Sequence, residues 1–321
     1  MAGTIPVKIG LLKKTEVKEA DRIFRLAFGT FLGMSNPSDF AGDRDMLISR
    51  CQSPHVKALA ARENGRLIGS NLITRWGSFA FFGPLTVLPE YWDRGIAQQL
   101  LEATVKIFDQ DGLRRTGLFT FAHSTKHVGL YQKFGYWPAY LTALMTHTPS
   151  AESAGGPGNP QDTVHLSTLP RNKREEAIDA CRRLTGAIDK GLDLGDEIRS
   201  LLQQKIGEVL LTYTRNSLDG LAICHHGPGS QGGTKLCYIP FAAARGGTGA
   251  GERFDRLLDA CDRFALSRGV PMEAGMNLAR EDAHRRMRAH GFRAFAQGVS
   301  MQRPHVPGFN RADAYVIDDW R

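Results

Sequence analysis

The chain has 321 residues, room for two domains of ordinary size, and its 42% hydrophobic and 23% charged side chains exclude wholesale disorder. Its longest apolar stretch, Phe79 to Pro89, contains Gly83 and Pro84 and falls far short of the roughly 20 residues a spanning helix needs, so no membrane crossing is expected. A net charge of +8 favours polyanionic ligands without choosing among nucleic acid, anionic lipid and a phosphorylated cofactor.

In chain order, Val7-Lys8-Ile9 reads as a strand leading into a helix that carries Ala20. The runs Val56–Glu63 and Leu67–Trp76 flank Asn64-Gly65, a strong hairpin signal, and a third strand is predicted over Phe79–Leu88. Apolar residues at 96, 100, 103 and 107, and at 101, 105 and 108, then give the 3.6-residue period of a buried helix. Leu118–Phe121 reads as a further strand and Ser124–Phe134 as a short helix stopped by Gly135. The segment Ser150–Asp162 has no apolar residue beyond Ala and is rich in Gly and Pro, so it is expected to be a linker.

Beyond it the pattern returns. Val7-Lys8-Ile9 matches Val164-His165-Leu166 at a spacing of 157, Gly95-Ile96-Ala97 matches Gly249-Ala250-Gly251 at 154, and Phe134-Gly135-Tyr136 matches His290-Gly291-Phe292 at 156. The helix after Gly251 carries Phe254, Leu257, Leu258, Cys261 and Phe264 on one stripe, and Ala283–His290 ends at Gly291. Two copies of one mixed α/β unit are therefore expected: residues 1–149, a linker over 150–162, residues 163–304, and a tail over 305–321 with enough apolar character to dock as a strand or clasp. The five cysteines are scattered and lack metal-ligand spacing, so no metal is expected. Lys8 precedes any apolar run long enough for a signal peptide, and a reduced cytoplasm is the expected address.

The sharpest signal for chemistry is the block from Leu85 to Leu101, where a strand end, a turn holding Trp92, Asp93, Arg94 and Gly95, and a helix from Ile96 and Ala97 follow one another. The first amides of such a helix lack intrahelical partners and converge with the positive end of the macrodipole behind them, which suits an anion. From spacing alone, an ordinary tight turn reads equally well. The block resembles the acyl-CoA-binding motif of the GNAT acetyltransferase family, and Leu130-Tyr131-Gln132-Lys133-Phe134-Gly135-Tyr136 resembles that family's second landmark.

The resemblance implies two tandem GNAT-like domains, each a mostly antiparallel twisted sheet flanked by helices. It implies acetyl-CoA as co-substrate, with Leu85, Thr86 and Val87 on the pantetheine arm and Trp92 to Ala97 around the pyrophosphate. Trp92 stands where the family has Gln or Arg. Tyr131 takes the family's general-acid position, against a plain reading as an aromatic filling the gap between helix and sheet. Ser124 either caps its helix or touches the cofactor.

No Asp or Glu occurs between Phe79 and Leu88, so the general base is unassigned; His123 and His127 are relay candidates that read equally as surface or capping histidines. In the second copy, aligned at 154, Pro240 takes the place of Thr86 and removes a backbone donor, and aligned at 156, Met287 takes that of Tyr131, so this half is expected to be catalytically degenerate. The function implied is N-acetyl transfer to a small-molecule or peptide amine; a non-catalytic acyl-CoA-binding module is the alternative. Nucleic-acid docking on Arg280, Arg285, Arg286, Arg288 and Arg293 ranks last, and the sequence is silent on oligomeric state.

Overall fold

The computed structural model describes residues 7–151 and 160–320, so most of the expected linker, residues 152–159, lies outside the described residues. The first half runs β1 (Lys8–Leu11), α1 (Val17–Phe31), α2 (Ile48–Cys51), β2 (Val56–Glu63), β3 (Arg66–Trp76), β4 (Phe79–Val87), α3 (Ile96–Gln110), β5 (Arg115–Thr120), α4 (Thr125–Gln132) and β6 (Trp137–His147). The second runs β7 (Thr163–His165), α5 (Arg171–Ile188), α6 (Gly195–Gln204), β8 (Gly207–Thr214), β9 (Ser217–His225), β10 (Cys237–Ala244), α7 (Ala250–Arg268), β11 (Met272–Asn277), α8 (Glu281–Ala289), β12 (Arg293–Arg303) and β13 (Val316–Asp318).

The architecture is the expected mixed α/β one, with the repeat written into its element order. Asn64 and Gly65, both at positive φ, make the two-residue turn between β2 and β3. The fifth strand begins at Arg115, three residues before the predicted start, because its first residues do not look like strand core. Arg115 is buried against Asp189, and Thr116 shares a 2.9 Å hydrogen bond with the Tyr136 hydroxyl.

All described strands join one sheet in the order β1-β2-β3-β4-β5-β12-β6-β11-β10-β9-β8-β7, with β13 beside β10. The two halves exchange their late strands. β12, from the second half, lies antiparallel between β5 and β6, and β6 in turn pairs with β11. Parallel pairing occurs among the described strands only at β4–β5 and β10–β11. Thr142 and Ser300 bond across the exchanged pair at 2.8 Å, both buried.

Successive residues of β4 serve opposite faces, as the pleat requires. Phe82 packs its ring on Phe108 of α3 and Tyr131 of α4, whereas Phe79 and Phe81 join Trp76 in a core shared with α5, α6 and Trp320 of the tail. Burying side chains of this size stabilises by roughly 1.5–3 kcal/mol each. The halves are therefore held together by a common core as well as by exchanged strands.

Candidate active site

β4 and β5 pair over only three residues, Phe79–Phe81 against Arg115–Gly117, and then diverge. A bulge at Gly83-Pro84 re-aims the end of β4: Ile73 pairs with Phe82, but Asn71 pairs with Leu85. The amide of Leu88 donates to the Ile68 carbonyl at 2.9 Å, so by the antiparallel alternation Thr86 also bonds inward to β3. The peptide groups of Leu85 and Val87 then face the open notch. Thr86 is buried with its hydroxyl 3.3 Å from that of Ser70, so its side chain braces the two strands.

At the mouth of the notch, Gly95 sits at φ +74 as the residue before α3, and no side chain caps that helix. A Cβ at Gly95 would meet nothing within 4 Å, so the approach to the amides of Ile96 and Ala97 is open. Arg94 lies back over the Tyr91 ring and 3.3 Å from Glu63. A half-exposed pair of this kind is worth about 0–1 kcal/mol, so the guanidinium is free to swing to an anion at small cost. Trp92 donates its indole N–H to the Val87 carbonyl at 2.8 Å, which braces the strand end from within.

Across the mouth, Asp93 forms an ion pair with Lys126 in the first turn of α4. Sequence reasoning missed Lys126. The signal was available, since a cation in a first helical turn faces the wrong end of the dipole and suits a site that receives an anion. Ser124 caps α4, its Oγ accepting the His127 amide at 3.5 Å.

Tyr131 stands one turn further along α4, buried, with its ring edge-on to Phe82 at 5.7 Å, beside the point where β4 and β5 part. Burial pushes its phenol well above the ordinary tyrosine pKa, so it stays protonated at neutral pH. Phe31, Phe121, His123 and His127 form a ring cluster where α1 meets the start of α4; Phe31 lies 5.1 Å from His127 and 6.0 Å from His123. A separate hollow along the far half of α3, lined by Glu102, Lys106, Asp109 and Phe134, lies away from this mouth.

The second half shows the same notch, closed. Tyr238 pairs with His225 and Phe241 with Ile223 around a bulge at Ile239-Pro240, as Phe82 pairs with Ile73 and Leu85 with Asn71 around Gly83-Pro84. Pro240 therefore lies inside the bulge, like Gly83-Pro84, and not at the place of Thr86. The expectation that it deletes a donor from the strand end is corrected, because the sequence alignment missed a loop that is shorter between β10 and α7.

What closes the notch is the tail. β13 pairs with Phe241–Ala243, and the amide of Ala244 donates to the Tyr315 carbonyl at 2.9 Å. On the far wall Gly275 of β11 leaves space that Asp319 fills, its Cβ only 2.1 Å from where a Gly275 Cβ would stand. The turn before α7 keeps a left-handed Gly249, but Arg253 donates to the carbonyls of Arg245 and Gly246 there, each at 2.8 Å, and Met287 is wholly buried. Arg280 is not a surface cation either. It is fully buried and clamps the tail through Val316 O at 2.8 Å, Asn310 Oδ1 at 2.6 Å and Asp318 Oδ1 at 2.7 Å. Arg285 and Arg286 pair with Glu281, Asp282 and Asp255, and Arg293 donates to main-chain carbonyls, so of the basic cluster considered from sequence Arg280 is internal and three others are engaged with neighbouring groups.

Residues 21–136 match the acetyltransferase (GNAT) family, and this part of the chain is a GNAT domain. Solved structures extend the likeness to the whole fold. A candidate acetyltransferase from Pyrococcus horikoshii is 15% identical, with 98% of this chain and 95% of that one covered and a TM-score of 0.67. A GCN5-related N-acetyltransferase from Sphaerobacter thermophilus is 14% identical over 94% of this chain and 96% of its own, with a TM-score of 0.58. A tandem GNAT protein of the clavulanic acid biosynthesis pathway is 11% identical over 92% and 98%, with a TM-score of 0.57. No curated protein matches the sequence. Among the described residues no helix is long and apolar enough to cross a membrane, and no cluster of side chains suits a metal ion.

Proposed function

We propose that the chain is a cytoplasmic, acetyl-CoA-dependent N-acetyltransferase that acts on a primary amine of a small molecule or peptide, with its active site in residues 1–149. The observation that carries this reading is the contrast between two equivalent notches. One is open and has the buried phenol of Tyr131 beside its floor; the other is filled by the tail and has Met287 at the matching position.

When bound, acetyl-CoA supplies an activated acyl group on a thioester. Leu85 offers its peptide group and Val87 its amide to its pantetheine arm, from the side of β4 that β3 leaves unbonded. The amides of Gly95, Ile96 and Ala97 receive its pyrophosphate, with Arg94 and Lys126 closing from either side and Asp93 giving up its pair. Thr86, Trp92 and Ser124 hold that frame in place through Ser70, the Val87 carbonyl and the α4 cap. Tyr131 holds the proton that the departing thiolate needs.

The test is thiol release over a panel of amines with the wild type and Tyr131→Phe. The phenylalanine keeps the ring packing on Phe82, so acetyl-CoA affinity should change little while turnover falls by about 10²–10⁴. Equal turnover would remove Tyr131 from the role. The absence of a carboxylate on β4 favours a second reading, a module that binds acyl-CoA without transfer. Tight acetyl-CoA binding by calorimetry with no thiol release from any amine would select it.

A further inference from the structure

We infer that His127 is the general base of this reaction and takes the proton from the acceptor's ammonium group; the inference rests on the proposed function and deepens it. An amine bound as an ammonium must lose a proton before its nitrogen can attack. Asp93 at the mouth is paired with Lys126, and residues 79–88 of β4 and 115–132 of β5 and α4, which flank the floor of the notch, contain no Asp or Glu. Their titratable side chains other than cationic Arg and Lys are His123, His127 and Tyr131. Tyr131 is buried and protonated, and His123 is exposed.

His127 is the group in the right place. It lies four residues before Tyr131 on α4 and so shares its helical face. Its ring is part-buried against Phe31, which reaches it from the end of α1. It is also in the right state. Burial first, then the neighbouring charges of Lys126 and His123, hold its imidazole below the ordinary histidine pKa, so it is neutral and able to accept at pH 7. The charged groups that bear on its titration are Lys126 on α4 and His123 before the helix; Tyr131 lies one turn on along α4, and Asp93 across the mouth pairs with Lys126. From α1 it meets the uncharged ring of Phe31.

The proton count closes. The imidazole takes one proton from the ammonium, the freed amine nitrogen bonds to the acyl carbon, and the carbon–sulfur bond breaks. The thiolate takes the Tyr131 proton, and the new amide nitrogen sheds its second proton to restore the phenol. The imidazolium returns its proton to solvent, with His123 as the exposed neighbour along that way.

The test compares wild type with His127→Gln in thiol release, using benzylamine and a set of primary alkylamines, all ammonium ions at pH 7. At pH 7 the variant's kcat/KM should be lower by about 10²-fold or more, and the deficit should shrink as pH rises and the amine deprotonates unaided. Added imidazole should restore part of the activity of His127→Ala. A deficit equal at every pH, or none at all, would overturn the assignment and leave His127 a packing residue. A His127→Gln protein that no longer binds acetyl-CoA passes the decision to the imidazole rescue, where no recovery overturns it. A wild type that binds acetyl-CoA yet acetylates no amine sinks the proposed function itself, and this inference with it.

Discussion

The closed notch makes a prediction that can be worked from its anchor. Arg280 has no exposed surface, and its guanidinium bonds Val316 O, Asn310 Oδ1 and the buried carboxylate of Asp318. Arg280→Met keeps much of the volume but leaves Asp318 buried without its cation, and breaking a buried pair in this way costs about 3–5 kcal/mol. The loss should appear where the tail is held. The Ala244 amide donates to Tyr315, and the alternation of the ladder makes Ala242 and Ile317 the next bonded pair. At one factor of ten per 1.4 kcal/mol, hydrogen exchange at Ala242 and Ala244 should quicken by about a hundred- to a few thousand-fold, while Phe82 and Leu118 of the first half keep wild-type rates. Calorimetry should find one equivalent of coenzyme A per wild-type chain. Two equivalents would refute the claim that β13 seals the second notch, and unchanged exchange in Arg280→Met would refute the anchor.

Two further perturbations probe the open notch and the seam between the halves. Gly95→Ala should weaken acetyl-CoA binding tenfold or more by calorimetry and lower stability by about 1–2 kcal/mol, because φ +74 is unfavourable for a residue with a Cβ although nothing there would clash; unchanged affinity would mean that the start of α3 does not hold the pyrophosphate. His225 is buried beside Glu197, and neither of its ring nitrogens meets a hydrogen-bond partner among the described residues. Burial holds it down to about 4, against the partial upward pull of Glu197, so the unfolded chain binds this proton more tightly and stability should drain away as pH falls from about 6.5 towards 4. The contribution is at most about 3 kcal/mol. Urea midpoints of His225→Phe should fall less steeply over that window than those of wild type, and parallel curves would rule the residue out as the cause.

What the sequence disclosed was local. Asn64-Gly65 fixes a turn, the 3.6-residue period fixes α3, and Gly135 and Gly291 stop their helices at positive φ, because each effect is settled within a few residues. The order strand, turn, helix around Gly95 placed the notch for the same reason. The missing parts depend on partners far away in the chain. Nothing in Arg293–Arg303 announces that it will lie between β5 and β6, since any half-buried strand would read alike. Arg280 looked like surface charge because its carbonyl and carboxylate partners come 29 to 38 residues later, from Phe309 to Asp318. Pro240 was misplaced because the landmark glycines were aligned across a loop that is shorter before α7 than before α3, a difference that only the strand register shows.

The exchange of strands bears on why a half with a sealed notch remains attached to one that is open. β5, one wall of the open notch, has β12 as its outer neighbour. Gly298 of β12 lacks a side chain where the Phe119 ring of β5 lies: a Cβ there would stand 2.2 Å from Cζ of that ring. The first half alone would leave β5 with an unpaired edge, and β6 with two, along most of their length, a state that invites aggregation. The second half thus backs a wall of the open notch. The outward peptide groups of β10 need partners, because buried main-chain groups left unbonded are costly. β13 provides them from the same chain. The tail completes the sheet of the second half locally, while β11, β6 and β12 join that half to the wall of the open notch.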